Sequence, residues 1–210
     1  VIRVNLNQLK GWTKGCGKLA ISISILSLSI AISFDFPSGK LQSNRAAARP
    51  AEVFSPYLEQ IRLAIPPSAE MRLPSQILLG GPGGLDPNAL IVKVLPTNTP
   101  PRLTVSLFTC ERGPFPCLVG SFTAEPAASA NAQRELSRHQ AMAAPITLTD
   151  GVRGYFIEGP NQMPRSDFSS LMWQQDGMIY TVSFLAAERQ NILYMARQMA
   201  IAPPLKSLQI

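Results

Sequence analysis

The stretch "SSLMWQQDGMIYTVSF", Ser169 to Phe184, decides how the rest of the chain is read. Asp176-Gly177 at its centre is a two-residue hairpin signal, because a type I′ turn needs positive φ at both central positions. Such a turn sets Gln175 opposite Met178, Trp173 opposite Tyr180 and Leu171 opposite Val182. Side chains alternate along a strand, so Leu171, Trp173, Tyr180, Val182 and Phe184 share one face. Ser170, Met172, Gln174, Ile179, Thr181 and Ser183 share the other. The aromatic-aliphatic face has two readings: scaffold closed by a helix, or a groove left open for an apolar ligand or peptide.

A cover lies close by in the sequence. In "AAERQNILYMARQMA" the residues Ile192, Met195, Ala196 and Met199 recur at helical spacing, and Pro203 and Pro204 end the run. Burying Trp173 and Tyr180 beneath that helix contributes roughly 3 to 6 kcal/mol at about 25 cal/mol per Å². Scaffold is therefore the preferred reading.

A second hairpin stands upstream. Cys110 and Cys117 bracket "ERGPFP", a turn-like stretch, and the flanks "RLTVSLFT" and "LVGSFTA" read as strands. If Cys110 faces Cys117, then Phe108 meets Val119, Ser106 meets Ser121, Val105 meets Phe122 and Thr104 meets Thr123. These are compatible cross-strand partners, so a disulfide and the ladder support one register. The spacing is not C-x-x-C and no histidine lies near, which disfavours a redox or metal pair.

Three helices punctuate the strands. "SPYLEQIRLAIPP" places Ser55 as cap and Pro56 at the first position, with Tyr57, Leu58, Ile61 and Ala64 on one face. "MRLPSQILLGGPGG" gives an irregular strand and a glycine-rich turn, followed by a strand at Leu90 to Leu95. "EPAASANAQRELSRHQAMAAP" reads as the second helix, with Pro126 in its opening turn and Ala132, Leu136, His139 and Ala143 at helical spacing. Asp150-Gly151 then reads as a turn before the strand "VRGYFIE". The order implies an α+β domain, an antiparallel sheet built from hairpins and packed against the C-terminal helix.

Charge is unevenly placed. Arg3, Lys10, Lys14 and Lys18 precede the first acid, Asp35, leaving 15 of the 19 Lys and Arg against 13 Asp and Glu. The body is close to neutral, so nucleic-acid binding loses its main support. The basic start leads into "LAISISILSLSIAISF", Leu19 to Phe34, and then the small-residue stretch "NRAAARPAEV". That layout suits an export signal with cleavage near Ala46 to Ala48, or an uncleaved anchor that contacts the membrane through residues 19–34. Residues 1–48 are accordingly read as signal or anchor helix with linker, and 49–210 as one exported domain of the periplasm or envelope. Proline is frequent, 19 of 210 residues, against a usual share of about 5%. Long connecting loops are expected.

"YFIEG", the hairpin and "RQNILYMARQMA" together resemble the C-terminal pattern of a bacterial domain family of unknown function, found in exported envelope proteins and beside anti-sigma-factor-like regions. "MRLPSQILLGG", "LTVSLFTC" and "NAQRELSRHQ" more specifically resemble uncharacterised exported proteins of cyanobacteria. The resemblance implies a fold and no activity, cofactor or catalytic residue.

Direct search for chemistry yields little. His139 is the single histidine and reads as a surface or half-buried helix residue. "GGPGG", Gly80 to Gly84, lacks the Lys-Ser/Thr of a phosphate loop and reads as a turn. The acids are scattered beside turns (Asp86, Asp150, Asp176) or on helix faces (Glu59, Glu135, Glu188), and neither metal nor cofactor is expected. The expected function is a non-catalytic envelope module that binds or senses a protein or an apolar ligand. The alternatives are an exported hydrolase whose carboxylates meet on folding, and a membrane-held accessory protein. Two partly buried acids lining one cleft would favour the hydrolase.

Overall fold

The computed structural model describes residues 49–80, 84–112 and 117–208, which lie within the compact unit Asn44–Ile210. The export or anchor segment at 19–34 and the cleavage region at 46–48 lie outside the described residues. So does the centre of the glycine-rich turn, 81–83.

Seven strands form one antiparallel sheet: β2 (Ile91–Asn98), β3 (Pro101–Phe108), β4 (Leu118–Pro126), β5 (Pro145–Thr149), β6 (Val152–Ile157), β7 (Phe168–Gln175) and β8 (Met178–Leu185). Their spatial order is β2-β3-β4-β8-β7-β6-β5. Each half is a meander of adjacent strands ending in a helix, and the halves meet at one seam where β4 pairs with β8. A two-residue strand near each end of the unit, β1 (Glu70–Met71) and β9 (Leu205–Lys206), pair as a separate ribbon. The helices are α1 (Leu58–Ala64), α2 (Ala130–Met142) and α3 (Arg189–Ile201). The α+β architecture read from the sequence is the one observed.

The β7–β8 hairpin has the expected register throughout, with Trp173 opposite Tyr180 and Leu171 opposite Val182. Asp176 and Gly177 both take positive φ, 50° and 75°, as the primed turn requires. All five side chains of the aromatic-aliphatic face are fully buried. Trp173 and Tyr180 stack with centroids 5.3 Å apart. α3 lies over β5, β7 and β8 and contributes Ile192, Met195, Ala196 and Met199 to the same core. Gln175 joins the two elements, since it accepts from Trp173 Nε1 at 3.2 Å and donates to Ala200 O at 3.0 Å. That second bond satisfies one of the carbonyls a helix end leaves unpaired.

Residue size follows the registers. One transverse row of the core face runs Leu103, Ala124, Tyr180, Trp173, Gly154. The two large rings are flanked by the two smallest residues, which gives each ring space to lie over its neighbour. The row Leu107, Gly120, Phe184 repeats the device. A Cβ on Gly120 would sit 2.3 Å from the Phe184 ring, so the ring occupies the place of the missing side chain.

Several local expectations are corrected. Phe108 faces Leu118 and not Val119, because a bulge after Leu107 shifts the ladder by one residue, while Val105 to Phe122 and Ser106 to Ser121 hold. Cys110 and Cys117 are bonded, with Cα atoms 5.5 Å apart. Ser55 and Pro56 fall inside a 3₁₀ turn, Glu52–Tyr57, and no side chain caps α1. Pro126 ends β4 instead of opening α2, because its missing N–H costs nothing at a strand end. Ser129 caps α2, accepting from Ala132 N. The irregular strand shrinks to Glu70–Met71, and β2 runs on to Asn98.

Candidate functional site

The second face of the sheet is where the molecule remains open. Its side chains follow from the same alternation, now extended across the seam. Thr104, Thr123 and Thr181 are successive cross-strand partners on β3, β4 and β8. Ser106, Ser121, Ser183 and Ser170 make a second row that reaches β7. Adjacent strands lie about 4.8 Å apart, so these hydroxyls form a regular floor. The Thr104 and Thr123 hydroxyls are 3.1 Å apart and hydrogen-bonded.

α2 covers only part of this face. Ala132 and Leu136 pack on Met172 and Ile179, a small apolar cluster separate from the main core. Beside the helix Thr123, Ser170, Thr181 and Ser183 of this floor line a cleft of about 340 Å³. Its walls carry Arg102, Glu125, Glu135, Arg138, Gln162 and Phe168.

His139 sits at the edge of that cleft and is only 5% exposed, more deeply buried than the surface or half-buried helix residue expected. The reason is tertiary: the helix lies with its Ala132–Leu136–His139 stripe on the sheet. Its Nδ1 is 2.9 Å from Glu135 O, a carbonyl that only accepts, so Nδ1 carries the proton. Nε2 then accepts from Ser170 Oγ at 2.8 Å. Burial lowers the His139 pKa below 6.5, and the Arg138 charge acts in the same direction against the Glu135 backbone bond and side-chain charge. The imidazole is neutral near pH 7.

Glu125 is the other buried ionisable group of the cleft, 5% exposed. Its Oε1 accepts from Ser129 Oγ, and Ser129 in turn caps α2. The carboxylate is thus committed to the helix start, where negative charge is favoured. Glu135 pairs with Arg138 on the exposed face of α2, and Arg138 also donates to Gln162. The two acids therefore line one cleft, an arrangement that their sequence separation hides.

No family model, curated protein or solved structure matches this chain. The site has to be weighed on its own chemistry.

The residues singled out from the sequence fall elsewhere. Leu171, Trp173, Tyr180, Val182 and Phe184 are closed under α3 and Phe54, Ile61, Met71 and Leu73, so this face is core and offers no groove among the described residues. Burial pushes the Tyr180 hydroxyl pKa up to about 12 against the opposing influence of the nearby Arg72. Arg72 is itself buried, donates to Ala202 O, and pairs with Asp176 at 2.6 Å, fastening the hairpin tip to the end of α3. Among the described residues no three His, Cys, Asp or Glu side chains gather as metal ligands, and no helix is long and apolar enough to cross a membrane. The serine-threonine floor was missed because half of it comes from the β4–β8 pairing. The signal was nonetheless present as T-x-S and S-x-T alternation in "LTVSLF", "GSFTAE" and "YTVSF".

Proposed function

We propose that the chain is a non-catalytic binding or sensing module of the cell envelope, and that its ligand seat is the cleft beside α2. One observation carries the reading: the sheet face opposite the core is polar, left partly uncovered, and flanked by two buried ionisable side chains, Glu125 and His139. Burying such groups costs stability unless they are satisfied, and convergent polar groups at the wall of a concave site are typical of ligand pockets. The envelope location is supported by the basic start and apolar run of the sequence. The ligand is polar, since the apolar face is closed.

The test is recovery of the full chain from its native envelope, with bound proteins, lipids and small molecules analysed by mass spectrometry. A component that accompanies the wild type and is lost from a folded Ser183→Trp variant, whose indole fills the cleft, supports the reading. Retention of every component by that variant refutes it.

A second reading, an exported hydrolase, is favoured by Glu125 and Glu135 lining one cleft with the Ser170–His139 pair. Two facts weigh against it. Each acid already has a partner, Ser129 or Arg138. Ser170 is mid-strand, paired with Ile157 and Ser183, so its backbone stands within a sheet ladder and not in a turn that frees N–H groups for an oxyanion. Turnover of chromogenic esters or glycosides that disappears in Ser170→Ala or Glu125→Gln would reverse this ranking.

A further inference from the structure

Arg102 is the ionisable group of the cleft that nothing in the fold accounts for. It opens β3 on the open face, next to the Thr104 row, and lines the cleft. Its Nε is buried and has no hydrogen-bond partner among the described residues. The ion pairs formed there engage Arg72, Arg138, Arg189 and Lys206, and Arg102 takes part in none. The continuing β3–β4 register points to Glu125 as its cross-strand neighbour, since Leu103 pairs with Ala124. Yet Glu125 bonds to Ser129 instead. That acid is thus held by the helix cap, and the guanidinium is left as a fork of donors without an acceptor among the described residues.

A guanidinium whose buried Nε has no acceptor carries an unrecovered desolvation cost, and its fork is matched by the two oxygens of a carboxylate or phosphate. Hydroxyls beside it donate or accept as needed. Resting on the proposed reading of the cleft, we infer that its ligand carries an oxyanion, carboxylate or phosphate, bound to Arg102 with the Thr123, Thr181 and Ser183 hydroxyls completing its shell. Arg138, already engaged by Glu135 and Gln162, is a secondary contact.

The experiment titrates the full chain with sodium acetate, sodium phosphate, sodium chloride and glucose at constant ionic strength, following the backbone amides of Thr123, Thr181 and Ser183 by NMR. The expected result is a saturable shift with acetate or phosphate, whichever binds tighter naming the source, and none with chloride. Arg102→Gln should weaken that binding about tenfold or more, the worth of a charge-assisted pair, while the near-ultraviolet dichroism of the buried Trp173 stays unchanged. Arg102→Lys keeps the charge, loses the fork and should fall between. Equal binding by Arg102→Gln, or loss on Arg138→Gln alone, overturns the assignment. Saturable shifts with glucose and none with either oxyanion overturn it too, while leaving the cleft a binding site. Silence in all four titrations overturns the oxyanion assignment, and the co-purification test then judges the cleft separately.

Discussion

Removing the Trp173 side chain tests the core where it is most constrained. The indole is fully buried, stacked on Tyr180 and bonded through Gln175 to the end of α3. Large-to-small changes of this kind cost about 3 to 5 kcal/mol, more when the site cannot collapse. Collapse is poor here, because the cross-strand neighbours are Gly154, which has no side chain to swing, and Tyr180, fixed by its own packing. The stacked pair adds about 0.5 to 1.5 kcal/mol. Trp173→Ala should therefore lower stability by about 4 to 5 kcal/mol, a large share of the 5 to 15 kcal/mol typical of a domain. Urea unfolding followed by far-ultraviolet dichroism gives the difference from the midpoint at constant m. A loss below about 1 kcal/mol, the range of surface substitutions, would refute the claim that this face is the closed core.

Three further outcomes follow from the same geometry. Gly120→Ala should cost about 1 to 3 kcal/mol by overpacking against the Phe184 ring, and Phe184→Leu in the same chain should recover part of it in a double-mutant cycle of unfolding free energies. Tyr180, raised to about 12 from 10.0, holds its proton in the folded state after the unfolded chain has lost it; stability should fall as pH rises from about 10 to 12, and Tyr180→Phe should abolish that loss in thermal melts across the range. His139 is shifted the other way, below 6.5, so the unfolded state takes up the proton first and stability should decline as pH falls through 6.5; a flat profile in wild type, or an identical slope in His139→Gln, would contradict the buried neutral imidazole.

Local signals made the hairpins legible. Asp176-Gly177 and Asp150-Gly151 mark their turns, and period-two alternation assigns the faces of β7 and β8 before any packing is known. The stripe of α3 was equally plain. What the sequence hides is how distant segments meet. The β4–β8 seam joins residues far apart in the chain, and neither strand carries a mark of its partner. His139 sits in an alanine-rich helix that looks solvated, and its burial comes from a sheet face assembled later in the chain. The cleft was invisible for the same reason: Arg102, Glu125 and Ser183 each belong to a different strand.

The ribbon of Glu70–Met71 with Leu205–Lys206 has a consequence for synthesis. A polypeptide leaves the ribosome amino end first, so β1 waits for its mate until Leu205 and Lys206 have been made. Until α3 and Leu205 arrive, the Trp173 face has only the part of its lid that Phe54, Ile61, Met71 and Leu73 supply, and the rest stays open to whatever is nearby. The nascent domain thus stays incomplete until α3 and Leu205 have emerged, and a chain cut before Arg189 is unable to seal itself.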